Sequence, residues 1–165
     1  KELKGEFAPF EEIKKYESLI QGEIYYPNYE AVRKSVFSLK EELEQIGIEK
    51  KSCHIDLVPE NFIESPQGRM YLIDWEYSSM NDPMWDLAAL FLESEFTNQE
   101  EEDFLTYYES DKTPVSREKI RIYKILQDTI WSLWTVYKED QGADFGDYGV
   151  SRYQRAVDGL TYYGG

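Results

Sequence analysis

A chain of 165 residues with 41% hydrophobic side chains suits one compact domain, or a large piece of a bigger one, with a real core. Its formal net charge of −15 repels phosphate backbones and argues against nucleic acid as a partner. The single cysteine, Cys53, excludes an internal disulfide, and no apolar run is long enough for a spanning helix. These features lead us to expect a cytoplasmic protein with no membrane insertion. The first residues, Lys1-Glu2-Leu3-Lys4, carry neither methionine nor a signal pattern and suggest a fragment.

In chain order, Pro9 predicts the start of a short helix over 9–20, with Phe10, Ile13 and Ile20 on one face. Gly22 and Pro27 break that pattern. Asn28 is a candidate cap for a second helix to about Ile46, in which Val32, Val36, Leu39, Leu43 and Ile46 recur at helical spacing and Gly47 terminates. Ser52–Ile55 reads as a short strand. Asn61–Glu64 and Arg69–Trp75 read as the arms of a hairpin around Ser65-Pro66-Gln67-Gly68. Asp82-Pro83 has the chemistry of a helix start, a capping carboxylate followed by proline at the first position. The helix behind it, with Trp85 and residues 87–92, is apolar nearly all round and therefore expected to be buried. Asn98 with Glu101 resembles a capping box. Thr113-Pro114 and Ser116 open a long helix to about Glu139. A loop over Gln141–Gly149 with three glycines precedes a last helix from Val150 to Tyr162.

The chemistry concentrates in His54-Ile55-Asp56-Leu57-Val58-Pro59-Glu60-Asn61 and in Ile73-Asp74-Trp75-Glu76. Asp56 and Asn61 lie five residues apart in a predicted loop, and Asp74 follows eighteen residues after Asp56. Phosphoryl transfer asks for such a set. One carboxylate orients the acceptor hydroxyl and takes its proton, while an amide oxygen and a second carboxylate hold magnesium against the phosphates. Taken singly, each of these residues would be an ordinary polar loop residue.

The run His-x-Asp-x-x-x-x-Asn followed by Ile-Asp-Trp-Glu resembles the catalytic and metal-binding loops of the choline kinase and aminoglycoside phosphotransferase superfamily. Glu76-Tyr77-Ser78-Ser79 resembles choline and ethanolamine kinases specifically. Residues 52–92 are similar to the bacterial choline kinases that feed phosphocholine to cell-surface polysaccharides. The resemblance implies a mainly α fold with a small β hairpin, the C-terminal lobe of a protein-kinase-like (aminoglycoside phosphotransferase-like) architecture. It implies Asp56 as catalytic base, Asn61 and Asp74 as Mg2+ ligands in contact with the ATP co-substrate, and His54 and Asp86 as structural supports of the catalytic loop.

A quaternary ammonium offers no hydrogen-bond donor and is best recognised by aromatic faces plus a carboxylate. Ile130-Trp131-Ser132-Leu133-Trp134 resembles the paired-tryptophan helix of choline kinases. Phe145, Tyr148 and Tyr77 resemble further aromatic positions of that substrate site, and Glu93 its acidic residue. On spacing alone, two helical tryptophans three apart would more often be core.

The implied organisation is one kinase-like lobe over 1–165: a helical entry region (1–50), catalytic and metal-binding loops (51–75) and a helical substrate-binding region (76–165). No segment before Lys51 offers the phosphate-covering loop and lysine of a nucleotide lobe, so that N-terminal lobe is expected to be missing. Lys14, Lys15, Arg33 and Lys34 read as solvated helix charges. The expected activity is ATP-dependent phosphorylation of choline, weak or absent in this chain by itself. Phosphorylation of ethanolamine or an aminoglycoside is the rival reading, and a non-catalytic cation-binding kinase-like module is the reading from another class.

Overall fold

The computed structural model describes residues 5–109 and 114–161. Among the described residues six helices carry the fold: α1 (Pro9–Leu19), α2 (Tyr29–Ile46), α3 (Pro83–Glu93), α4 (Asn98–Glu109), α5 (Arg117–Glu139) and α6 (Tyr148–Thr161). Four three-residue strands join them: β1 (Lys51–Cys53), β2 (Phe62–Glu64), β3 (Met70–Leu72) and β4 (Ser79–Asn81). The described chain forms two compact units. The first takes residues 5–7, 48–109 and 114–120, the second residues 8–47 and 121–161.

In the first unit β1 pairs antiparallel with β4, Ser52 opposite Met80. Glu6 adds a parallel bridge to Met80. β2 and β3 form the hairpin, Ile63 opposite Tyr71. Its turn closes through Gly68 N–H to Ser65 O at 2.8 Å, with Gly68 at φ 74°, a conformation glycine adopts without steric cost. The core is α3, whose Trp85, Leu87, Ala88, Ala89, Phe91 and Leu92 are all buried. The reason is compositional, since a helix apolar on every side loses free energy wherever it meets water. Asp82 caps α3 by accepting from Met84 N–H at 3.0 Å. It also accepts from Glu49 N–H at 3.0 Å and from the buried Lys119 ammonium at 2.6 Å.

In the second unit α2 buries Val36, Leu39 and Leu43, while Ile46 at the helix end stays exposed. α5 buries Ile122, Leu126, Leu133 and Val136. Its buried hydroxyls are satisfied locally: Thr129 donates to Ile125 O, Ser132 to Thr129 O and Thr135 to Trp131 O. Tyr26 stacks on Tyr153 at 4.5 Å between ring centroids and donates to Ser132 O. Position 149 must be glycine for α6 to sit here, since a Cβ would stand 2.5 Å from Tyr26 Oη and 2.8 Å from Thr135 Cγ2. Lys14 and Lys15 pair with Glu11 and Glu12 in the exposed first turns of α1, and Arg33 grips Glu17 with two hydrogen bonds.

Several local expectations shift. Asn28 holds the position before α2 but lies in the left-handed region (φ 56°), and its side chain makes no capping bond. The capping box falls one residue early: Thr97 N–H donates to Glu100 at 2.8 Å and Glu100 N–H returns to Thr97 Oγ1 at 3.3 Å. Ser116 caps α5 through Lys119 N–H, whereas Thr113 lies outside the described residues. α6 begins at Tyr148, two residues before the expected Val150, and Tyr162 lies outside the described residues. β4 lies where the sequence pattern signals no strand. No helix among the described residues is long and apolar enough to cross a membrane.

Candidate active site

The loop between β1 and the 3-10 turn Pro59–Asn61 is built on α3. The Asp86 carboxylate accepts from two successive backbone groups, His54 N–H at 2.7 Å and Ile55 N–H at 2.9 Å. Burial is the largest influence on Asp86 and raises its pKa, against the lowering effect of those two bonds. The neighbouring side chain on α3, Trp85, donates its indole N–H to Ile55 O at 3.1 Å. Ile55 thus has its N–H and its carbonyl held from one helical turn. Its φ is 74°, in the left-handed region. A β-branched residue there stores strain of order 1–3 kcal/mol, which persists only where the surroundings impose it.

Asp56 follows directly and is half-buried. Its pKa lies above the usual aspartate range, first because of burial. His54 pulls it down, Asp74 and Glu93 push it up, and Asn61 pulls it down again. Asp74 and Glu93 are thus the carboxylates whose charge bears on Asp56. The phenol of Tyr77 is raised chiefly by Glu76, with smaller contributions from Asp56 and Asp74, so Tyr77 belongs to the same neighbourhood.

Asn61 is buried, and its Nδ2 donates to Asp56 O at 2.9 Å. A carbonyl only accepts, so this contact fixes the orientation of the amide and assigns Oδ1 to the opposite side. The backbone of Asn61 accepts from Ile73 N–H at 2.9 Å, and Ile73 O meets His54 Nε2 at 2.8 Å. The residue before Asp74 is therefore pinned at both peptide groups. Asp74 itself takes φ 61°, which aspartate tolerates. His54 is 1% exposed, with Trp75 against its ring edge at 4.8 Å, so His54 braces both loops.

Among the described residues no three or more His, Cys, Asp or Glu side chains gather to hold a metal by themselves. The candidate set is one amide oxygen and one carboxylate. That sparse hard-oxygen set fits magnesium, which takes the rest of its shell from phosphate oxygens and water.

The second unit holds the other candidates. Trp131 and Trp134 on α5 are half-buried and meet edge to face at 5.6 Å. Phe145 lies 5.0 Å from Trp134 and is 37% exposed. The three rings form one cluster with accessible surface, unlike the sealed core residues Leu133 and Val136 beside them. Lys138 Nζ is 6.0 Å from the Trp134 ring. Tyr148 is 37% exposed, and the Arg152 guanidinium sits 5.5 Å from its ring centre. Arg152 is in turn paired with the buried Asp128, 2.7 Å away.

Sequence reasoning missed the strained Ile55, the Trp85 contact and the Asp82–Lys119 pair. A faint signal existed for Trp85: an indole N–H within a buried helix needs an acceptor.

A model of the choline/ethanolamine kinase family matches residues 6–157. The chain belongs to the choline/ethanolamine kinase family. Among its family relatives, the protein LicA of Haemophilus influenzae is 32% identical over 160 residues, covering 91% of this chain and 59% of LicA. The crystal structure of choline kinase LicA from Streptococcus pneumoniae superposes with a TM-score of 0.93 at 80% identity, over 99% of this chain and 58% of that one. A crystal structure of LicA in complex with AMP superposes with a TM-score of 0.93 at 80% identity. A choline/ethanolamine kinase family protein of Mesorhizobium loti superposes with a TM-score of 0.83 at 27% identity, over 96% of this chain and 56% of its own. The chain thus spans a little under three fifths of the length of these relatives. Its mainly helical architecture with short β pairs is the kinase-like fold of these neighbours.

Proposed function

We propose that this chain serves the transfer of a phosphoryl group from ATP to the hydroxyl of choline, giving phosphocholine and ADP. The observation that carries the reading is the arrangement around Asp56: a half-buried carboxylate on a loop braced by Asp86, with Asn61 fixed by its amide and Asp74 by its neighbour's two peptide bonds. Asp56 orients the acceptor hydroxyl and accepts its proton late, when the transition state is already loose. Asn61 Oδ1 and the Asp74 carboxylate would hold Mg2+, which when bound neutralises charge on the phosphates. His54 and Asp86 hold the backbone that presents these groups.

In the second unit, Trp131, Trp134 and Phe145 offer aromatic faces suited to a trimethylammonium head, with Tyr148 as a further ring; Tyr77 and Glu93 in the first unit are the remaining candidates for substrate contact. A choline kinase among the relatives, at 80% identity, supports this acceptor. Ethanolamine is the second reading, favoured by the ethanolamine kinases among the relatives, such as ethanolamine kinase 2 of Mus musculus at 28% identity.

Calorimetric titration of the chain with choline, ethanolamine and kanamycin tests acceptor choice. Choline is expected to bind tightest, and Trp134→Ala to weaken it by about 1–2 kcal/mol, roughly 5- to 30-fold. Equal choline affinity in a folded Trp134→Ala variant would make that ring a packing residue. Turnover is tested by replacing the matching segment of the Streptococcus pneumoniae choline kinase with this chain and assaying phosphocholine formation. A folded, nucleotide-binding chimera without that activity would reject the proposal.

A further inference from the structure

We propose that Trp85 is a positioning residue for Asp56, acting through its indole N–H on the carbonyl of Ile55; the catalytic consequence rests on the function proposed above. Ile55 lies directly before Asp56, so its φ sets the direction in which the base leaves the loop. At φ 74° a β-branched side chain is disfavoured, and an unrestrained chain would relax to negative φ. Two bonds oppose that relaxation. Asp86 Oδ1 accepts from the Ile55 N–H at 2.9 Å, and the Trp85 Nε1–H donates to Ile55 O at 3.1 Å. The peptide that carries Ile55 O is the one that carries the Asp56 N–H, so the indole grips the linkage between the strained residue and the base.

Trp85 is itself immobilised. It is 3% exposed, and Phe7 packs on its ring at 4.7 Å between centroids. It stands in the first turn of a helix whose start is fixed by the Asp82 cap. A bond to so rigid a donor holds geometry, whereas a bond to a mobile surface group would follow the loop. Asp86 alone restrains only one of the two peptide groups around Ile55.

The inference separates the N–H from the ring. Trp85→Phe keeps an aromatic body in the core and removes the donor. Replacement of Trp85 by 3-benzothienylalanine exchanges the N–H for sulfur at nearly constant shape and covers the case in which Trp85→Phe fails to fold. In the chain itself, NMR coupling constants and backbone shifts of Ile55 report its φ, and amide exchange of Asp56 reports how firmly the linkage is held. Wild type is expected to show positive φ at Ile55. Either replacement is expected to shift Ile55 toward negative φ and to speed Asp56 exchange at least about tenfold.

In the chain-swapped kinase, either replacement is expected to lower kcat at least about tenfold, with KM for choline and for MgATP changed less than about twofold. Adding Ile55→Gly or Ile55→Asn, residues that accept positive φ, is expected to restore kcat to within about threefold. A bare packing role would give no such rescue. Unchanged Ile55 φ and unchanged Asp56 exchange in the benzothienyl protein would overturn the proposal. So would a loss of kcat that neither Ile55→Gly nor Ile55→Asn repairs. If the swapped kinase makes no phosphocholine even with Trp85 in place, the function reading fails, and the NMR arm still decides whether the indole holds the loop.

Discussion

Asp56 is kept above the usual aspartate range by burial first, and then by the negative charge of Asp74 and Glu93, against the pull of His54 and Asn61. In the proposed role it accepts a proton only when ionised, so turnover is expected to rise with pH through that elevated pKa. Glu93→Gln removes a negative neighbour, lowers the cost of ionising Asp56 and moves the acid limb of the kcat profile to lower pH. The move is expected to stay below about one unit, because burial and not Glu93 is the largest cause. A limb that stays put, or moves to higher pH, would detach Glu93 from the base. Asp56→Ala is expected to cut kcat by about 10²–10⁴-fold while nucleotide and choline binding persist, as read by steady-state kinetics beside calorimetry. An unchanged rate would remove Asp56 from the role of base.

α3 is the element on which the loop depends, and Asp82 is the residue on which α3 depends. This carboxylate is fully buried and serves the cap, the Glu49 backbone and the Lys119 ammonium together. Lys119→Met would leave the charge of Asp82 unmatched in the interior, at a cost of about 3–5 kcal/mol. Lys119→Met with Asp82→Asn is expected to recover part of that loss, since an amide is cheaper to bury. Chemical denaturation of the single and double variants measures both, and a loss below 1 kcal/mol would show that water reaches the pair. α3 was legible in the sequence because Asp82-Pro83 gives a start and the apolar run gives burial. β4 was not, because three residues acquire strand character only by pairing with distant chain, with β1 and with Glu6. The capping box near Asn98 was ambiguous by one residue, Thr97…Glu100 and Asn98…Glu101 having the same spacing. Asp56, Asn61 and Asp74 stood out by their spacing and flanks. The conformation of Ile55 did not, because local preference argues against it and contacts from α3, 30 residues on, impose it.

For the molecule as a whole, a net charge of −15 sets up a field that draws small cations in and is weakened by salt. Choline association, followed by tryptophan fluorescence in rapid mixing, is expected to slow several-fold between about 20 and 500 mM ionic strength, with dissociation little changed. A rate indifferent to salt would confine the charge to a role in solubility. Attraction at long range still leaves the choice of resting place to each ring. The guanidinium of Arg152, anchored by Asp128, already rests against Tyr148 as a built-in tenant. A visiting ammonium would meet like charge there, and at Trp134 it would have to displace only the Lys138 ammonium, 6.0 Å from that ring on a flexible stem.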